Sequence, residues 1–181
     1  MIVLRLLLVT TLVALTAQGQ QSSGQQPANQ PQSVIPASCP VTTAPEHPFT
    51  PPGPVVLSEG AFWWGTEKLW IELRRSGSWE WLPHKPGHEH QVQPLTMKLF
   101  WMSVNYDWKK ELVPPLKVTG KRLDGTAPPI LLLPMSHAIS GPNAAMVAGF
   151  YVPAPGCWEI TGDYKGDKLS FVVWFEPIKD E

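Results

Sequence analysis

The densest group of possible metal ligands in the sequence is a run of seven residues between two apolar segments. His84, His88 and His90 place three imidazoles in it, and Glu89 adds a carboxylate. Imidazole is the commonest zinc and copper ligand, and residues two apart on a strand share a face, so His88 and His90 are the first candidates. A proline and a glycine between the histidines indicate a turn, whereas preformed metal sites draw ligands from rigid elements. We therefore expect a solvated turn and no bound cofactor, with a metal site at the three histidines as the alternative.

Established patterns of catalytic residues are missing from the sequence. It has no Gly-x-Ser-x-Gly elbow, no His-Glu-x-x-His motif, no Walker loop and no dinucleotide fingerprint. Ser136 and His137 are adjacent, but a nucleophile and its base must meet in space and not merely in sequence. Glu159 and Asp163 on one extended strand would lie about 13 Å apart, too far for a catalytic carboxylate pair. We expect a protein that is not an enzyme.

The nine tryptophans offer a second kind of binding surface. Alternation places Leu69 and Ile71 on one face of a strand and Trp70 on the other, and the same pattern separates Trp174 from its apolar neighbours. Exposed aromatic rings mark interaction sites and suit stacking on sugars. Because tryptophan is mostly buried in proteins, two hypotheses stand: a sugar platform of Trp70 and Trp174, or burial of both indoles under proline-rich loops. We favour burial slightly.

The N-terminal residues have the pattern of an exported protein. Arg5 precedes an apolar run from Leu6 to Ala17, and small residues at Ala17 and Gly19 suit a signal peptidase. The run is shorter than the roughly 18 to 20 residues that cross a bilayer. We predict a cleavable signal peptide over residues 1–19, a secreted or periplasmic location, and no membrane span after cleavage.

A linker and one domain account for the rest of the chain. Residues 20–38, rich in Gln, Pro and Ser, contain too few large apolar side chains to offset the entropy of ordering them. We predict a disordered linker there and a folded domain over residues 39–181. The formal net charge of −1 provides no basic field, which argues against nucleic acid as a partner. An unidentified protein or a cell-surface polysaccharide remains.

Short strands joined by turns fit the composition of the domain, because the chain has 21 prolines and 14 glycines. Alternating or apolar runs predict strands over residues 68–73, 79–82, 97–104, 116–123, 145–152, 157–164 and 169–175. Ser76–Ser78 predicts a hairpin between the first two, and Lys165–Asp167 predicts a C-terminal hairpin. Strands at this spacing indicate an all-β, two-sheet sandwich.

The two cysteines stand at the start of the domain and at the start of its penultimate strand. Cysteines in an exported chain usually oxidise to each other. We predict a Cys39–Cys157 disulfide that joins the beginning of the fold to its final hairpin.

Several segments carry a resemblance to known proteins. They are Phe62–Trp70, Lys98–Trp101, Tyr106–Trp108, Gly120–Gly125, Pro153–Gly162 and Leu169–Trp174. As a set and in this order, they resemble short secreted bacterial Ig-like proteins of uncharacterised function. The resemblance implies an immunoglobulin-like, two-sheet antiparallel sandwich, an exported location and no catalytic residues. The expectation is therefore a non-catalytic Ig-like module with a binding or structural role. A carbohydrate-binding module is the first alternative, and a metal-binding protein is the second.

Overall fold

The computed structural model of the chain describes residues 34–81, 97–140 and 143–177. Regular structure in these ranges consists of β-strands without a helix. The ten strands are β1 (Ala61–Thr66), β2 (Leu69–Arg74), β3 (Ser78–Trp81), β4 (Met97–Met102), β5 (Leu116–Arg122), β6 (Leu131–Leu132), β7 (Ser136–Ser140), β8 (Asn143–Tyr151), β9 (Gly156–Tyr164) and β10 (Asp167–Pro177). None of the described residues belongs to a helix that could span a lipid bilayer.

The strands form two sheets. The first sheet has the order β1-β2-β4-β8-β6, and β7 also pairs with β8. The second sheet has the order β3-β10-β9-β5. Pairing is antiparallel except between β3 and β10, which run parallel. The prediction of an all-β, two-sheet sandwich is confirmed.

The hydrophobic core lies between the inner faces of the two sheets, as strand alternation requires. Its largest fully buried side chains are Trp101, Trp158, Tyr164, Phe62, Phe150, Phe171 and Phe175. The first sheet supplies Trp101, Phe62 and Phe150. The second supplies Trp158 and Tyr164 of β9 and Phe171 and Phe175 of β10.

The C-terminal hairpin of β9 and β10 is confirmed. Tyr164 pairs with Asp167, so the turn consists of Lys165 and Gly166 alone. Both have positive φ, 54° for Lys165 and 93° for Gly166. Positive φ at both central residues is typical of the type I′ turn, whose twist matches that of the strands it joins.

The predicted hairpin between residues 68–73 and 79–82 is wrong. After β2 the chain leaves the first sheet, and β3 pairs with β10 in the second. Gly77, with φ of 66°, lies at the crossing, and its carbonyl oxygen accepts a hydrogen bond of 2.9 Å from the Trp174 N–H. A Cβ at Gly77 would lie 2.9 Å from Cγ2 of Val41. The Ser-Gly-Ser segment therefore carries the chain between sheets and does not reverse it within one.

The disulfide between Cys39 and Cys157 is confirmed, with an S–S distance of 2.04 Å. It fastens the segment before β1 to the start of β9. Thr42 reinforces this attachment, because its N–H donates to the Val172 carbonyl at 2.9 Å and its Oγ1 accepts from the Val172 N–H at 2.8 Å. The beginning of the described chain is thus held on the second sheet at two points.

Candidate binding site

The outer face of the first sheet carries a row of apolar side chains. Alternation sends Leu99 and Trp101 into the core, so Phe100 and Met102 of β4 point away from it. Phe100 pairs in register with Val147 of β8, whose side chain therefore lies on the same face. Phe100 is 47% exposed although it stands on a central strand. Such a ring on a sheet face is the kind of exposed apolar surface that marks an interaction site.

This row forms the floor of a groove of about 490 Å³. The floor residues are Trp63, Phe100, Met102, Ala138 and Ala145. The segment between residues 54 and 58 forms a wall of the groove, with Pro54, Val55, Val56 and Ser58 among the lining residues. The volume is within the range of sites for small molecules, which are mostly apolar with a few polar groups.

Two hydrogen bonds hold that wall in place. The side-chain amide of Asn143 donates to the Pro54 carbonyl at 2.7 Å, and the Ser58 N–H donates to the Glu72 carboxylate at 3.2 Å. Asn143 belongs to β8 and Glu72 to β2, so the wall is fixed from both sides of the floor. The groove is therefore part of the folded sandwich and needs no ligand to shape it.

Trp63 occupies a special position in this groove. It is half-buried on β1, and the adjacent Phe62 points to the opposite face of the sheet, into the core. The indole also lines a second cavity of about 330 Å³, together with His47, Phe49 and Leu169. A ring that borders two cavities offers apolar surface to a ligand that extends beyond either one.

The charged residues of the groove are Glu72, Arg74 and Lys98. The Glu72 carboxylate is engaged by the Ser58 N–H, as described above. Arg74 and Lys98 are exposed, and neither forms an ion pair with any residue that the structure describes. The groove thus combines aromatic and aliphatic surface with two cationic groups that are available to a ligand.

Trp70 and Trp174, the residues predicted for a sugar platform, are not brought together. Trp70 is on β2 of the first sheet and only 5% exposed, with the Phe49 ring at a centroid distance of 5.9 Å. Trp174 is half-buried on β10 of the second sheet. Both face away from the core, so they lie on opposite sides of the sandwich. A coplanar platform of these two rings is excluded. Of the favoured hypothesis, which buried both indoles, the structure shows burial for Trp70 and only partial burial for Trp174.

Trp63 and Phe100 could not be identified as binding residues from the sequence, because the local pattern around each is ambiguous. Residues 61–66 and 97–102 are apolar at both parities, which is typical of strands covered on both faces. Alternation of apolar and polar residues therefore does not show whether Trp63 or Phe100 points away from the core. The exposed fraction of Phe100 depends on what the rest of the chain leaves uncovered, which no local signal reveals.

His84, His88 and His90 lie outside the described residues, so the alternative metal site there stays a prediction. Within the described ranges, no three His, Cys, Asp or Glu side chains are close enough together to hold a metal ion. Ser136 and His137 are neighbours on β7 and therefore point to opposite faces. Nδ1 of His137 lies 2.9 Å from the Leu112 carbonyl, and its ring stacks on Trp108. These two residues do not form a catalytic pair.

A polar cluster around Tyr164 has a structural role. Its hydroxyl lies 3.1 Å from the Asn105 carbonyl and 3.0 Å from Oε2 of Glu111, and Lys165 Nζ donates to Oε1 of Glu111 at 2.6 Å. Burial and the Glu111 carboxylate raise the pKa of Tyr164. The hydrogen bond to Glu111 raises the pKa of Lys165. None of these residues lines the groove; together they tie the loop after β4 to the β9–β10 turn.

Comparison with known proteins does not assign the chain to a family. No protein-family model matches it, and no curated protein matches it significantly. Among solved structures, it is similar to a candidate lipoprotein from Bacillus anthracis, with 14% identity and a TM-score of 0.35. The match covers 68% of this chain and 84% of that one. A likeness at this level carries no argument about function.

Proposed function

We propose that this protein is an exported, non-catalytic Ig-like module that binds carbohydrate in the groove on its first sheet. The observation that carries the proposal is that the half-buried Trp63 and the exposed Phe100 line the same groove. The apolar C–H face of a sugar ring packs on aromatic rings while its hydroxyls stay in water. Small-molecule sites elsewhere have the same composition, with apolar floors and a few polar groups.

The order of the strands supports the Ig-like part of the proposal. An immunoglobulin-type sandwich has strands ABED in one sheet and CFG in the other. Assigning β2, β4, β5, β6, β8, β9 and β10 to A through G in chain order gives β2-β4-β8-β6 and β5-β9-β10. These are the neighbours found in the two sheets. In this assignment, β1 and β3 are additions at the sheet edges, and β7 is a further addition that pairs with β8.

Two observations support export. The Cys39–Cys157 bond is of the kind that persists in oxidising compartments and is rare in the cytosol. The first 19 residues have the charge and apolar pattern of a cleavable signal peptide. Secretion or retention in a periplasm is equally compatible with both.

The groove also favours a sugar over an extended peptide. Within a sheet, the backbone N–H and C=O groups are paired in the plane of the sheet, so a sheet face offers a ligand side chains only. A peptide lying there would find no backbone partners from β2, β4 or β8. A saccharide needs none, because its polar groups remain hydrated.

The geometry further favours binding over catalysis. Hydrolysis of a glycosidic bond generally requires two carboxyl groups on either side of it. Of the described residues that line the groove, Glu72 alone carries a carboxyl group, and its oxygen is engaged by the wall. A module that holds a sugar without cleaving it fits this arrangement.

A glycan array that carries neutral and acidic saccharides tests the proposal. The full chain is expected to bind at least one saccharide with micromolar to millimolar affinity, because a stacked ring contributes about 0.5 to 1.5 kcal/mol beyond its buried area. Trp63→Ala and Phe100→Ala should each weaken that binding about tenfold or more. Trp174→Ala is the matched control, since it removes a half-buried indole from the opposite sheet.

Absence of binding to every saccharide on the array would contradict the proposal. So would a Trp63→Ala variant that keeps both the native melting temperature and the native affinity.

A further inference from the structure

The charge distribution around the groove narrows the class of ligand. Arg74 and Lys98 follow the alternation of β2 and β4 and point to the same outer face as Phe100. The two strands pair at Ile71 and Trp101. Arg74 is three residues beyond Ile71 and Lys98 three residues before Trp101, so the two cations lie at the same level on neighbouring strands.

Two like charges at such positions are unfavourable by themselves. Cross-strand neighbours with the same charge destabilise a sheet, whereas opposite charges stabilise it. Among the described residues, no carboxylate pairs with either cation, although this face does contain Glu72. The nearby Glu72 oxygen instead accepts the Ser58 N–H and fixes the wall. Repulsion between Arg74 and Lys98 therefore lowers the stability of the fold, and a bound anionic ligand would relieve it.

We infer that the groove selects an anionic saccharide, with the sugar ring on Trp63 and Phe100 and its acidic group against Arg74 and Lys98. This inference rests on the proposed carbohydrate-binding function and adds the charge of the ligand to it. Arginine matches the planar geometry of carboxylate and phosphate groups, and lysine adds a compact point charge. Either acidic group satisfies the pair, so the shared chemistry is that of a sugar with a carboxylate or a phosphate.

The electrostatic attraction of Arg74 and Lys98 for an anion is confined to the groove. The chain has a formal net charge of −1 and cannot draw in polyanions over long distances. A ligand must therefore present its anion next to a ring that stacks. This requirement separates an acidic saccharide from an acidic polypeptide such as poly-glutamate, which carries charge without a hydroxylated apolar ring face.

The test uses matched pairs of soluble polysaccharides, titrated into the full chain by calorimetry. Polygalacturonate and its methyl ester differ only in carboxylate charge, and phosphomannan and mannan differ in the phosphate. Poly-glutamate supplies charge without a sugar ring. We expect at least one acidic polysaccharide to bind about tenfold more tightly than its neutral partner and than poly-glutamate, with the preference weakened by salt.

The double variant Arg74→Gln with Lys98→Gln should abolish the preference, so that it binds the acidic and the neutral partner with equal affinity. Lys117→Gln with Lys121→Gln is its matched control, because both lysines are exposed on β5 of the second sheet. If the preference appears with polygalacturonate, the acidic group of the ligand is a carboxylate. If it appears with phosphomannan, that group is a phosphate.

Equal affinity for acidic and neutral partners, or a preference that survives the groove double variant, would overturn the inference while leaving carbohydrate binding intact. Poly-glutamate binding as tight as that of the best polysaccharide would overturn it as well. If the wild type showed no preference for acidic partners and Trp63→Ala bound polysaccharide as tightly as the wild type, the proposed function itself would be refuted.

Discussion

The indole of Trp101 in the first sheet lies directly on the backbone of Gly162 in the second. A Cβ at Gly162 would stand 2.4 Å from Cζ3 of the Trp101 ring, which is closer than atoms can approach. The indole is fully buried and also contacts the Phe171 ring at a centroid distance of 5.8 Å. Spacing between the two sheets at the centre of the sandwich therefore depends on an indole of the first sheet that packs on the glycine backbone of β9, beside the Phe171 ring of β10.

Gly162→Ala should destabilise the domain by about 1 to 3 kcal/mol, because a methyl group must displace either the indole or strand β9. Gly125→Ala is the control, since its new Cβ would meet nothing nearer than 3.5 Å, an ordinary contact with Arg122. Urea unfolding of both variants measures the difference. Equal stability of the two variants would show that the sheets are not spaced by this contact.

Loss of the disulfide should destabilise the domain by about 2 to 5 kcal/mol, since it closes a loop with a sequence separation of 118 residues. The double variant Cys39→Ser with Cys157→Ser isolates the effect in denaturant titrations. Both cysteines are buried, so the native protein should offer no thiol to an alkylating reagent. Detection of two alkylated cysteines in native protein from an oxidising compartment would contradict the structure.

High pH should destabilise the domain through Tyr164. Burial raises the pKa of Tyr164 above its usual value, so the folded state holds the proton more tightly than the unfolded state. The resulting stability is complete below about pH 10, the ordinary tyrosine pKa, and is lost as pH rises through the folded value. The free energy of unfolding, measured from pH 8 to 11, should therefore decline above pH 10.

Tyr164→Phe should flatten this decline and cost about 1 to 3 kcal/mol at neutral pH, because Glu111 and Asn105 lose a partner. If the free energy of unfolding of Tyr164→Phe fell with pH in parallel with that of the wild type, the decline would be due to other groups.

Trp70 should behave as a packing residue and not as a binding residue. Trp70→Ala removes a buried indole from beneath Phe49 and should destabilise the fold by about 3 to 5 kcal/mol. Its Nε1 has no hydrogen-bond partner among the described residues, so packing accounts for the loss. Thermal melts and the glycan array together provide the test. Unchanged melting with lost saccharide binding would restore the platform hypothesis for this residue.

The parts of the fold that follow local alternation were predictable from the sequence. The hairpin of β9 and β10 is the clearest example, because each strand buries every second residue and a Lys-Gly pair forms the turn. Oxidation of the two cysteines followed from their number and from the predicted signal peptide. The parallel pairing of β3 with β10 was not predictable, since its partner residues Trp79 and Phe175 are far apart in sequence.

The binding site was less predictable than the fold for a related reason. Alternation correctly placed Trp70 and Trp174 outside the core, but it does not reveal what covers an outer face. Phe49, in a segment without regular structure, covers Trp70. Phe100 remains 47% exposed although the wall at residues 54–58 lines the same groove. Both outcomes depend on the path of irregular segments, which carry no periodic signal.

The indole N–H resonances of the tryptophans test the central claim most directly. Nuclear magnetic resonance spectra of chain labelled with ¹⁵N at the indoles would be recorded while the tightest-binding saccharide from the array is added. Trp63 should shift in a saturable manner, since its ring borders the groove, and Trp174 on the other sheet should not. A saturable shift of Trp174 without one of Trp63 would contradict carbohydrate binding in this groove.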